Sequence, residues 1–137
     1  MHALFQAKMI FFTQLFILIS VFSFSQSNRS KFSDLIEEIR KTEKQFESDL
    51  NTMGADVAFG KYAASNAVIR RQNDSLILGP SAIRQFYSNE NFKSAKAYWS
   101  PDYIDVSADG TLAYTYGKYK WISTDKSGKT QERHGIF

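Results

Sequence analysis

Apolar positions recur at spacings of three, four and seven along the segment after Ser33: Leu35, Ile36, Ile39, Phe46, Leu50 and Met53 draw one stripe. The pattern predicts a helix from an N-cap at Ser33 to about Asn51, with Asp34, Glu37 and Glu38 in the first turns, where acids suit the positive end. Its other face, Glu37, Arg40, Lys41, Lys44, Glu47 and Ser48, has the composition of a solvated side. Gly54 ends or kinks this helix, and Ala55 to Ala64 form a second, short one carrying Val57, Ala58, Phe59 and Tyr62.

Beyond Asn66 the period changes. Ala67 to Arg70 and Ser75 to Leu78 read as brief strands joined by a turn at Gln72-Asn73-Asp74. Pro80 suits a helix start, and Ile83, Phe86 and Tyr87 give Ser81 to Tyr87 helical spacing. Four strands follow: Ala95 to Trp99, Tyr103 to Ser107, Leu112 to Ser123 and Thr130 to Phe137. Ser100-Pro101-Asp102, Asp109-Gly110 and Asp125-Lys126-Ser127-Gly128 supply turns between them. Helices first and a strand meander afterwards predict an α+β domain, with Phe46, Phe59, Ile83 and Phe86 facing the sheet.

The opening segment has a different character. Met9 to Phe24 is a short apolar run after a single cation, Lys8, and it ends in Ser23-Phe24-Ser25. It falls short of the roughly 20 apolar residues of a spanning helix, and small residues flank the site after Ser25. Residues 1–25 therefore read as a signal peptide and 26–137 as one exported domain, periplasmic or secreted, with no membrane attachment after cleavage. A retained N-terminal anchor is the alternative.

The chain has 137 residues and no cysteine, so disulfides, thiol nucleophiles and Cys-based metal sites are excluded. Its formal charge of +3 is too weak to announce a nucleic-acid partner, and Arg70-Arg71, Lys93, Lys96, Lys118 and Lys120 form no basic run. One mature His with scattered acids gives no metal-ligand spacing, and no cofactor motif occurs.

The ordered set Phe46, Gly54, Ala58-Phe59, Tyr62, Ala67-Val68, Leu78-Gly79-Pro80-Ser81-Ala82-Ile83-Arg84, Trp99-Ser100-Pro101, Val106-Ser107 and Gly110-Thr111-Leu112-Ala113-Tyr114-Thr115-Tyr116-Gly117 resembles the SnoaL-like proteins of the nuclear transport factor two-like superfamily. The similarity is to its branch of exported bacterial domains. It implies a cystatin-like α+β cone, in which helices close one side of a curved antiparallel sheet and leave a pocket at the open end. Members include polyketide cyclases, a ketosteroid isomerase, dehydratases and non-catalytic binding or assembly domains, so fold alone does not give function. Asn66 stands where family members often carry an Asp, and an amide cannot be the proton-shuttling base. His134-Gly135-Ile136-Phe137 resembles the start of the family's last strand region, so the chain is expected to be truncated at its C-terminus, leaving the strand from Thr130 with an unpaired edge.

Pocket candidates are Tyr62, Asn66, Trp99, Tyr114, Tyr116 and His134, each of them equally at home as a packing or surface residue. Tyr114 and Tyr116 share one strand face, which either lines the pocket or packs with its hydroxyls at solvent. His134 is the weak candidate for acid–base catalysis, on a face opposite Arg133 and Gly135. Gly117 suggests a bulge that leaves the face of Tyr119 and Trp121 open, and Asp105 is expected outside. The leading expectation is a binding domain for a small apolar or aromatic ligand. The alternatives are a SnoaL-like isomerase, cyclase or dehydratase, and a dimerisation domain acting as a homodimer.

Overall fold

Helix α1 is already running at residue 31 and continues to residue 53, so Ser33 lies inside it and is not its N-cap. The computed structural model describes residues 31–71 and 75–137. The expected signal segment and the turn at 72–74 lie outside these described residues. Gly54, at φ 97°, takes a conformation that side chains resist, and it breaks the chain into α2 (Ala55–Tyr62). A two-stranded hairpin follows, β1 (Val68–Arg71) with β2 (Ser75–Leu78), then α3 (Gly79–Tyr87) with Pro80 in its first turn. A further turn of helix, α4 (Glu90–Lys93), was not expected from the sequence; the Asn89 side chain accepts from the Asn91 N–H to start it.

The main sheet has three antiparallel strands in the order β3 (Lys96–Val106), β4 (Ala113–Thr124) and β5 (Thr130–Ile136). The expected turn at Ser100-Pro101-Asp102 is not formed. β3 passes straight through it with a register shift between Pro101 and Tyr103, and β3 is an edge strand among the described residues, where a proline without an N–H is tolerated. Gly117 pairs with Pro101 across this irregularity, and a Cβ there would meet the Ser100 carbonyl oxygen. The bulge thus belongs to β3, and β4 keeps its alternation.

That alternation defines two faces. Ala97, Trp99, Thr115, Tyr119, Trp121 and Arg133 stand on the inner face, while Tyr98, Tyr103, Asp105, Tyr114, Tyr116, Lys120 and His134 stand on the outer one. Leu50, Ala58, Ile83, Tyr87 and Ala97 form the buried core, and Phe46, Phe59, Phe86, Phe92, Trp99 and Trp121 pack against it. The four residues expected to face the sheet all belong to this cluster.

Helix α1 also covers the free edge of β3. The Asn51 amide donates to Ala97 O at 2.7 Å and accepts from Ala97 N at 3.0 Å, and Glu47 accepts from Trp99 N at 2.7 Å. These side chains satisfy backbone groups that a sheet edge would otherwise leave open. Glu47 therefore does not belong to an idle solvated face. A second tie lies at the back of α1, where Asp49 is 7% exposed and accepts from Lys61 Nζ at 2.6 Å, Tyr62 Oη at 2.9 Å and Gln45 Nε2 at 2.9 Å.

Candidate functional site

The inner face of the sheet, α1, α3, α4 and the hairpin enclose a wide-mouthed cavity of about 1640 Å³. Aromatic rings supply most of its apolar lining. Phe46 meets Phe59 at 5.0 Å and Trp99 at 5.1 Å, both edge-on; Phe59 stacks on Tyr87 at 3.9 Å; and Phe92 joins Phe86 at 5.4 Å and Trp121 at 6.1 Å. Edge-to-face contacts of this kind hold rings in fixed orientations, and a cavity so lined offers flat apolar surfaces. Tyr119 enters the same space because Gly135 lies beneath its ring: a Cβ on Gly135 would come within 2.6 Å of Tyr119 Cε1.

Of the charged groups that line this space, two are held against its aromatic rings. Glu43 lies on α1, with Oε2 accepting from Trp99 Nε1 at 2.8 Å and Oε1 accepting from Thr115 Oγ1 at 3.2 Å. Its position, four after Ile39 and three before Phe46, places it in the helix's apolar stripe. Arg71 ends β1 on the same face as Ile69, so the two-residue alternation of the strand turns it inward. Its guanidinium bonds Arg70 O and Tyr87 Oη and stands 5.3 Å from the centre of the Tyr87 ring and 5.9 Å from that of Phe86. Burial lowers its pKa, with the nearby Tyr119 phenol opposing that shift.

Of the candidates read from sequence, Trp99 lines the cavity. Tyr62 does not: its ring stacks on Phe46 at 4.7 Å, and its hydroxyl is committed to Asp49, in a separate shallow groove beside α1. Burial raises the Tyr62 pKa, reinforced by Asp49. Asn66 is exposed in the turn before β1. Tyr114 and Tyr116 stand outside the cavity, on the outer face, where both contact Tyr103. Of the two readings of that face, the one that lines the pocket is set aside and the solvent-facing one holds, because β4 keeps strict alternation and Trp121 and Tyr119 take the inner positions. His134 is likewise outside, 67% exposed, with Nε2 2.7 Å from Glu132 Oε1. Asp105 is exposed, as expected.

Glu43 and Arg71 were not singled out as site residues, yet each carried a signal. A carboxylate inside an apolar helical stripe, and an arginine alternating with an isoleucine on a strand, both break the binary pattern. Among the described residues no group of His, Asp and Glu is arranged to hold a metal ion. No helix of the described residues is long and apolar enough to cross a membrane.

The arrangement of helices on one side of an antiparallel sheet matches solved structures. One is described as a calcium/calmodulin dependent protein kinase II association domain from Xanthomonas campestris, 19% identical, covering 71% of this chain and 69% of that one with a TM-score of 0.56. Another is Aln2 from a Streptomyces species, 17% identical, covering 75% of this chain and 76% of that one with a TM-score of 0.57. The chain thus has the nuclear transport factor two-like cone fold, α+β with N-terminal helices packed on an antiparallel sheet. No protein-family model matches the sequence, and no curated protein does.

Proposed function

We propose that this chain is a small-ligand-binding domain whose ligand seats in the aromatic cavity of the cone. The observation that carries this reading is the convergence of Phe46, Phe86, Phe92, Trp99 and Trp121 on one concave space together with two fixed polar groups, Glu43 and Arg71. Apolar walls with a few placed polar groups are what small-molecule sites require. Ligand retained on the purified protein in native mass spectrometry supports the reading, and loss of that ligand in Trp121→Ala locates it.

A second reading, proton transfer of the SnoaL-like kind, is favoured by Glu43. Its carboxylate lies in the cavity, whereas the Asn66 amide is exposed in a turn. Both Glu43 oxygens already accept protein hydrogen bonds, which ties the carboxylate to Trp99 and Thr115 and suits an anchor. Exchange of the α-proton of an added carbonyl compound, abolished by Glu43→Gln, would establish this second reading over simple binding.

Export is proposed on sequence grounds, from the apolar run and the Ser23-Phe24-Ser25 site. N-terminal sequencing of the exported protein tests it: a chain starting at Gln26 supports it, and one starting near Met1 does not.

A further inference from the structure

We infer that the cavity selects ligands made of an aromatic or alicyclic body bearing a carboxylate, with Arg71 as the group that receives the carboxylate. This inference rests on the cavity being a ligand site and adds the chemical class of the ligand.

The argument starts from the surroundings of Arg71. A guanidinium has several N–H donors in a fixed planar fork and no acceptor. Here one bond goes to Arg70 O and another to Tyr87 Oη, both neutral oxygens. Among the described residues no Asp or Glu forms an ion pair with it, and the groups that face its charge are the rings of Phe86 and Tyr87. Arg71 is half-buried, and partial removal of a cation from water without a carboxylate partner is unfavourable. The remaining donors of the fork can engage two oxygens at once, the geometry in which arginine binds carboxylates most strongly.

The rest of the lining fits the same class. Phe86, Phe92 and Trp121 form a continuous aromatic surface close to Arg71. Arg133, opposite Trp121 on β5, lines the cavity as well, and at its rim the acids Glu90 and Asp125 accompany Lys93 and Lys126. Glu43 is held by Trp99 and Thr115, and its charge disfavours a second anionic group on the far part of the ligand.

Matched pairs of acid and neutral amide test this: benzoate with benzamide, phenylacetate with phenylacetamide, and 2-naphthoate with 2-naphthamide, titrated at neutral pH by calorimetry or by quenching of tryptophan fluorescence. The acid of at least one pair is expected to bind roughly tenfold or more tightly than its amide. Arg71→Gln should abolish that preference while leaving amide binding in place, and Arg71→Lys should retain part of it. Circular dichroism and thermal melts confirm that each variant is folded. Acid and amide binding equally to the wild type would overturn the carboxylate inference while the cavity reading survives. Failure of every acid and every amide to bind would count against both.

Discussion

The indole N–H of Trp99 donates to the carboxylate of Glu43 at 2.8 Å, joining the first helix to the first long strand inside the cavity. Fifty-six residues separate the two in sequence, so this bond both closes the cone and fixes the plane of an aromatic ring against which a ligand would lie. Glu43→Ala leaves the half-buried indole N–H and the Thr115 hydroxyl without their acceptor, at a cost of about 1–3 kcal/mol. Glu43→Gln keeps an oxygen acceptor and should cost clearly less. Chemical denaturation with tryptophan fluorescence as the probe measures both; equal losses in the two variants would mean the bond is not what holds Trp99.

Asp49 should make stability dependent on acid pH. Hydrogen bonding from Lys61 first, and then from Gln45 and Tyr62, holds its carboxyl below the usual value of 3.8 despite burial. A depressed folded-state value stabilises the fold above the unfolded-state value, and this contribution is lost as pH falls through the folded one. Lys61 is shifted upward, chiefly by its bond to Asp49, so its contribution is present below its ordinary value and lost as pH rises through the raised one. Thermal midpoints of wild type and Asp49→Asn, compared from about pH 7 down to about pH 2, should therefore converge with acid. A gap that stays constant over that range would count against the link.

Burial should separate two leucines sharply. Leu50 has no solvent exposure, whereas Leu112 is 69% exposed near the start of β4. Leu50→Ala is expected to cost about 2–5 kcal/mol through lost burial and a cavity. Leu112→Ala should stay within about 0.5 kcal/mol. Urea unfolding of the two variants is the check, and similar losses would place the core elsewhere.

His134 is expected to be irrelevant to any ligand of the cavity, because β5 alternation sends it to the outer face beside Glu132 and Lys120. His134→Gln should leave ligand affinity unchanged. A loss of roughly tenfold or more would show that the outer face takes part in binding.

The helical spacing of Phe46 and Leu50 and the strand-then-turn rhythm after Lys96 made the α+β order of elements legible, since both patterns follow from which face each residue buries, while the cone was implied by the family resemblance alone. The Pro101 region was not legible. A proline beside serine and aspartate reads locally as a turn, and only the edge position of β3 lets the strand run through it. Tyr114 and Tyr116 were ambiguous because alternation shows which residues share a face, and only packing of α1 against Ala97 and Trp99 decides which face is inner. Trp99 was recognisable as a pocket residue. Glu43 and Arg71 were not, because a charged residue in a local pattern reads as solvated until a partner distant in sequence is seen beside it.

The most direct test of the cavity as a ligand site is heteronuclear NMR mapping of a bound aromatic acid such as 2-naphthoate on isotope-labelled protein. Perturbed signals are expected to cluster at Phe86, Phe92, Trp99, Trp121 and Arg71, with Tyr103, Tyr114, Tyr116 and His134 unmoved. Perturbations confined to the outer tyrosine face, or scattered without reference to the cavity, would contradict the account.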